Sequence, residues 1–501
     1  MDVSDQLERF RGLQATLRQS VRAFAADPRR PYTAVIVPSN SFDPAELAKI
    51  DGVAHYEERA LFNLMLLRHP RLKVVFVTSK RIDPLIIDYY LHQIRRVPGA
   101  HARRRLVLFD VDDASARPLT QKILERPRLV GRIRDAIDDP AMAHLNVFNA
   151  TPLERELAVA LGVPLNACDP ELVHHGTKTG SRTLFEAAGV PSAPGRHGLR
   201  DVDDLVEGLA GLWAEHPAMR RVVVKLNDSF SGEGNAVLDL SALPTPPTAA
   251  ERASIVRQAL PGLRFEAAGL DWEGYAAQFD RMGGIVEGWL DGEGKRSPSA
   301  QLRISPLGEV IPVSTHDQVL GGPSGQVFLG ATFPADAAYR LRVQEMGVRV
   351  GEQLASRGVI GRFAVDFIAI GAELYALEIN LRQGGTTHPF NTVKFITSGQ
   401  YDRETGTFHT AAGRERSYFA TDTLQRDAYR GIMPFDLLDA LVYHGVHFGV
   451  DEQGAVFHLL GCLSEFGKVG CTSVAGSVEE AMAVHTRVVE VLDELGTSHA
   501  G

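Results

Sequence analysis

Three oxygen-bearing side chains in one short apolar stretch are the first candidates for chemistry. In GRFAVDFIAIGAELYALEINLRQGGTTHPF (361–390), two strand-like runs meet at a turn at Gly371, with Asp366 on the first and Glu378 and Asn380 on the second. Side chains two apart along a strand point to the same side, so Glu378 and Asn380 share a face, and Asp366 joins them if the runs pair as a hairpin. Two carboxylates and an amide oxygen are hard oxygen ligands of the kind Mg²⁺ takes, with phosphates filling its other positions. The competing reading is a strand pair with polar residues turned to water. Against it, these strands are otherwise built from Phe, Val, Ile and Leu.

Basic and flexible residues precede this stretch. Lys178 stands in HHGTKTGSRTLFEAAGVPSAPG ahead of a helix that Gly189 closes. Lys225 ends the apolar strand of VVVKLNDSFSGEGNAVLDL, and Asn227–Gly234 form a Gly/Ser loop before the next strand. Backbone N–H groups of such a loop can fold over phosphates, although a plain hairpin has the same composition. Glu287 lies within the apolar strand IVEGWL, and THDQVLGGPSGQ (315–326) reads as a ligand-binding or gating loop, or as a passive connection.

The elements that must position these residues follow from periodicity. Ala34–Val37, Val74–Val77, Leu106–Phe109 and Leu145–Phe148 are strand-length apolar runs alternating with helical patterns, which argues for a parallel α/β sheet. No GxGxxG follows any of them, so a dinucleotide site is not supported. Glu57, Glu58 and Arg59 fall at a helix start, where the helix dipole accounts for the acidic pair, and this region reads as a scaffold. Apolar residues at 343, 346, 350 and 354 mark one buried helix face. Residues 401–430 read as a polar, irregular insertion. After them Ser477 and Glu480 form a capping box ahead of a last helix.

Bulk properties limit the partners. The chain has 501 residues, 44% of them apolar and 23% charged, with a net charge of −9. That length calls for several domains, and that charge makes no case for nucleic acid or an anionic membrane. Three cysteines without metal-ligand spacing, no continuous apolar leader and no stretch of the ~20 apolar residues that span a bilayer read as a soluble, cytoplasmic protein.

In this order, an early lysine, a second lysine ending a strand, a Gly/Ser flap, a Glu strand and Asp…Glu-x-Asn resemble the ATP-grasp superfamily. YEER (56–59), VTS (77–79), LTQKILERPRL (119–129), TPLERELAVALGVPL (151–165) and EINLRQGGTTHPF (378–390) are similar to the ATP-grasp peptide ligases typified by the pheganomycin ligase. The resemblance implies a multidomain α/β and α+β architecture. A parallel α/β pre-ATP-grasp domain would cover 1–168 and the ATP-grasp fold 169–400, with a flap subdomain over about 200–290. The polar insertion at 401–430 and a small C-terminal αβ unit at 431–501 would follow.

It also implies ATP and Mg²⁺ as cofactors, with small-molecule or peptide substrates and a homodimer as an allowed assembly. Lys178 and Lys225 would contact nucleotide phosphates, with Ser231, Gly232 and Gly234 as the flap. Glu287 and Leu290 would border the adenine, and Asp366, Glu378 and Asn380 would hold Mg²⁺. Thr386, Thr387 and His388 fall where related ligases bind a substrate carboxylate, although His388, just before Pro389, could equally stabilise a turn. The chain departs from the family at Ala364, where an arginine commonly stands, and at Gly294, where an acidic ribose contact is common. Arg382, ahead of Arg362, is the candidate to stabilise the tetrahedral oxyanion, with a structural ion-pair role the equal alternative for both, and Glu293 is the nearest ribose substitute. The activity implied is ATP-dependent joining of a carboxylate to an amine through an acyl phosphate. The alternative is a small-molecule kinase that does not ligate.

Overall fold

A computed structural model describes residues 2–228, 233–244, 248–267, 269–321 and 327–499. After the helix α1 (Val3–Ala26), the strands β1 (Tyr32–Val37), β2 (Leu72–Thr78), β3 (Leu106–Asp110) and β4 (Ala143–Val147) form a parallel sheet in the order β3-β2-β1-β4. The apolar runs are continuous because both faces are covered. Ala34, Ile36, Val74 and Phe76 enter one core; Val35, Val37, Val75 and Val77 enter another, with Phe10, Ile123 and Leu157. The first core extends to Tyr429, Leu441, Phe457 and Val488, so the N-terminal sheet packs directly against the end of the chain.

The middle of the chain builds two antiparallel sheets around helix α2 (Lys178–Ala188). The strands β5 (Gly195–Leu199), β6 (Arg221–Leu226), β7 (Asn235–Asp239), β8 (Arg264–Phe265) and β9 (Gly284–Gly288) pair in the order β5-β9-β6-β7-β8. The second sheet begins with β10 (Pro298–Ile304), β11 (Val310–Gly321), β12 (Val327–Phe333), β13 (Gly361–Ile370) and β14 (Glu373–Asn380). Helix α3 (Arg340–Ser356) covers one face of it through Val343, Met346, Val350 and Leu354, the spacing read from the sequence. The other face is left for the site.

Two readings of the sequence are corrected here. Thr315–Gly321 is not loop but the second half of β11, whereas the remainder of that glycine-rich stretch, 322–326, lies outside the described residues. Residues 401–430 are not irregular. After helix α4 (Thr387–Thr397), a small hairpin of β15 (Gln400–Asp402) and β16 (Thr407–His409) leads into β17 (Ser417–Gln425). β17 pairs with β12 on one side and with β19 (Lys468–Ala475) on the other; β18 (Gly454–His458) closes the eight-stranded order β14-β13-β10-β11-β12-β17-β19-β18. The polar composition misled because Thr421 and Asp422 are buried with hydrogen-bond partners rather than turned to water. Helix α5 (Val478–His499) packs against β17 and β19.

Candidate active site

The β13–β14 pair forms as the alternation requires. Asp366 stands directly opposite Glu378, Ala364 opposite Asn380, and Ser299 of β10 flanks Asp366 on its other side. All five line one cleft of about 1500 Å³ that also borders β6, β9 and the N-terminal sheet unit. Asp366 accepts hydrogen bonds from Gln318 Nε2 at 3.0 Å and Asn380 Nδ2 at 2.9 Å. Burial pushes its carboxyl above the usual range, an effect opposed by Ser299, Arg382 and Lys178. Glu378 forms an ion pair with Lys178. Two carboxylates met mainly by amides and one lysine form an oxygen-donor set with negative charge to spare, which fits a hard divalent cation.

Lys178 and Lys225 reach this cleft from different elements. Thr177 caps α2 by accepting from Gly180 N at 3.0 Å. Asn227 then ties that helix start to the end of β6: its carbonyl accepts from Lys178 N at 3.1 Å and its side chain from Thr179 N at 2.9 Å. The ammonium of Lys178 is pushed down to about 7, chiefly by burial and next by the charge of Lys225. A desolvated cation of this kind gains most when an anion arrives beside it. Lys225 pairs with Glu287, whose other oxygen takes Arg182 Nη1 at 2.9 Å.

Glu287 and Leu290 both line the cleft. The two oxygens of Glu287 are committed to Lys225 and Arg182, so in this arrangement its carboxylate positions the lysine. Glu293, in contrast, is exposed and outside the cleft lining. Gly234 lines the cleft and its carbonyl accepts from Leu226 N at 3.0 Å, whereas Ser231 and Gly232 lie outside the described residues.

The arginines separate. Arg382 lies in the cleft, donating to Asn380 Oδ1 and to Gln383 O, each at 3.1 Å. Arg362 is not brought there: its Nη2 donates to Asn391 Oδ1 of α4 at 3.1 Å, and its register partner is Arg303. Thr386 lines the cleft; Thr387 Oγ1 accepts from Gly384 N at 2.9 Å and lines an adjoining cavity with His388. His388 Nε2 lies 3.2 Å from Asp422 Oδ1, to which His458 Nε2 is 2.5 Å.

Sequence reasoning missed Asp422 and His458, and treated Arg59 as part of a scaffold. The available signal was weak: Tyr56 and Arg59 are three apart on a helical segment and so share a face. The glutamates beside them are not explained by a helix dipole. Glu57 accepts from Ser79 N and Oγ, both at 2.5 Å, and Glu58 accepts from Gly461 N at 3.1 Å, so they clamp elements together.

Known proteins resemble this chain over most of its length. A family profile described as IQCH-like, ATP-grasp matches residues 170–260 and 265–404, and one described as the PGM1 C-terminal domain matches 436–488. The chain is 30% identical over 480 residues to the L-propargylglycine–L-glutamate ligase of Streptantibioticus cattleyicolor, covering 94% of this chain and 95% of that one. The chain belongs to the ATP-grasp ligase family. Its class of chemistry is ATP-dependent carboxylate–amine ligation, with formation of a C–N bond.

More distantly, this ATP-grasp ligase is 24% identical over 425 residues to IQ motif-containing protein H of Danio rerio, covering 75% of this chain and 40% of that protein. Its fold is shared with a biotin carboxylase from Campylobacter jejuni solved with β,γ-ATP. That match has a TM-score of 0.55 at 13% identity and covers 91% of this chain and 90% of the other. An N5-carboxyaminoimidazole ribonucleotide synthetase solved with ADP gives 0.51 at 12% identity, covering 93% and 97%. Among the described residues no helix is long and apolar enough to cross a membrane.

Proposed function

We propose that this ligase phosphorylates an amino-acid-like carboxylate with ATP and passes the acyl group to the amine of an amino acid or peptide, in the cytoplasm and in natural-product peptide biosynthesis. The observation that carries this reading is the gathering of Asp366, Glu378 and Asn380 with Lys178 and Lys225 in one cleft, where Lys178 pairs with Glu378. A free carboxylate is a poor electrophile, and phosphorylation supplies the leaving group an amine can displace. Asp366, Glu378 and Asn380 would hold Mg²⁺, which when bound neutralises charge on the phosphates. Lys178 and Lys225 orient the phosphates and meet the negative charge that builds on the transferring group. Arg382, beside Asn380 and already desolvated, stabilises the oxyanion formed when the amine attacks. The relative acting on L-propargylglycine and L-glutamate supports small amino acids as the first substrates to try.

The test is incubation of the protein with ATP, Mg²⁺ and pooled amino acids, with and without hydroxylamine. ADP release with amide formation is expected, together with a hydroxamate when hydroxylamine intercepts the acyl phosphate. Chelation by EDTA should stop both, and added Mg²⁺ should restore them. A phosphorylated alcohol without hydroxamate or amide would instead identify a kinase.

A further inference from the structure

Among the described residues Lys49, Arg59, Arg281 and Lys295 also line the cleft without a part in the reading above, and Arg59 is the one a carboxylate and two aromatic rings hold together. Arg59 enters from the N-terminal sheet unit, on the 3₁₀ helix Val53–Arg68, with 15% of its side chain exposed. Its guanidinium is held over the Tyr56 ring at 4.6 Å and over the Phe148 ring at 5.2 Å. Nε donates to Tyr56 O at 3.3 Å and Nη1 to Asp422 Oδ2 at 3.2 Å. Nη2 makes no hydrogen bond within the described residues. The guanidinium is thus flanked by two aromatic rings and met on one edge by a carboxylate, and the residue lines the cleft with Nη2 left unbonded among the described residues.

The carboxylate behind Arg59 is itself held. His458 Nε2 lies 2.5 Å and His388 Nε2 3.2 Å from Asp422 Oδ1, with the two imidazole rings 4.3 Å apart. Gly470 makes room for this contact, since a Cβ there would stand 2.1 Å from His458 Nε2. Two histidines and an aspartate also form a metal-ligand set, but tetrahedral zinc spaces its N and O ligands roughly 3.3 Å apart. The 2.5 Å contact is a hydrogen bond instead, and the cation on the other oxygen already neutralises Asp422. Arg382 adds to the positive charge nearby, and its own hydrogen bonds go only to neutral acceptors.

We propose that Arg59 anchors the carboxylate of the amine-bearing substrate, the one that is not activated, and that Asp422, hydrogen-bonded to His458 with His388 beside it, is its positioning residue. The inference rests on the ligase reading, because only a ligase has a second substrate whose carboxylate survives the reaction. A planar guanidinium offers a carboxylate two parallel N–H donors, which an ammonium cannot match. The N-terminal unit would then select the acceptor, while the two antiparallel sheets carry out activation.

The experiment takes the amine substrate found by the ADP-release screen and its primary carboxamide, and compares kcat/KM for the two in each enzyme. That ratio is independent of how much of a preparation is folded. The native enzyme should prefer the carboxylate by about a hundredfold, since the site's donors are left unpaired by the amide. In Arg59→Met the preference should fall to within about threefold of unity, and in Arg59→Lys by about tenfold, with KM for ATP unchanged. A preference that survives in Arg59→Met and Arg59→Lys would overturn the assignment. Asp422→Asn should raise KM for the acceptor while leaving kcat and KM for ATP in place; an equal loss with acid and amide would mean a structural role only. Stoichiometric zinc in the purified protein, lost in His458→Ala, would overturn the hydrogen-bonded support. Failure of the ligase reading is distinct, appearing as no hydroxamate or amide from the native enzyme.

Discussion

Asp366 and Asp422 are carried by the same eight-stranded sheet, yet their charges are met in opposite ways. Asp422 is buried, and Arg59, His388 and His458 all approach it within 3.2 Å. Burial alone would raise its carboxyl, but His388 and His458 hold it well below the usual range. Asp366 faces the cleft, takes its hydrogen bonds from two amides, and has its carboxyl pushed up by burial. The first carboxylate is satisfied by the fold. The second is left short of positive charge, which fits the role proposed for it beside a cation and a polyphosphate. Local charge balance therefore separates a carboxylate already paired within the fold from one with charge left to meet.

The comparison can be broken most directly at the floor of the cleft. Glu378→Ala should lower ADP release with a productive substrate pair by about a thousandfold or more, while the thermal melt moves little. Near-native turnover would remove the metal assignment. On the other side, Asp422→Ala leaves Arg59 and two imidazoles buried around a missing anion, and should cost about 3–5 kcal/mol in urea unfolding. A loss under about 1 kcal/mol would show that Asp422 is not structurally satisfied in the way described.

A smaller effect tests how dry the interior beside these clusters is. His316 of β11 is fully buried, lies 2.7 Å from Tyr418 Oη, and burial pushes its imidazole down to about 3. Because its folded value lies below the unfolded value of about 6.5, the unfolded chain binds the proton first, and stability falls as pH drops through that window. At pH 5 this amounts to about 2 kcal/mol relative to pH 7. The decline between those pH values should be shallower by about that amount in His316→Gln, measured by urea unfolding at both. The smallest change is expected for Asp366→Asn, within about 1 kcal/mol of native or slightly stabilising, since it relieves a desolvated charge without stranding a cation. A large destabilisation there would erase the distinction from Asp422.

Much of the site was legible before any tertiary contact was known. Asp366, Glu378 and Asn380 could be grouped because strand alternation is a local rule, and the expected pairing places Asp366 opposite Glu378. Lys178 and Lys225 were visible as polar residues at the ends of apolar elements, where side chains reach a cleft. The role of Glu287 was not, since its commitment to Arg182 and Lys225 spans 105 and 62 residues of sequence. Arg362 falls on the Asp366 face by alternation and ranks second to Arg382 as a candidate, but Asn391 of α4 takes its guanidinium.

The sequence by itself determined the local periodicities: two strands with three oxygen donors on one face, two lysines ahead of them, and a parallel sheet at the start. Only the tertiary structure decided that the polar run at 401–430 contributes a buried strand, because that depends on β17 finding places beside β12 and β19. It also decided that Arg59 and Asp422, 363 residues apart, meet at one end of the cleft. No local rule couples such distant positions. Their contact exists because the N-terminal and C-terminal parts share one hydrophobic core, whose burial outweighs the chain entropy of bringing them together.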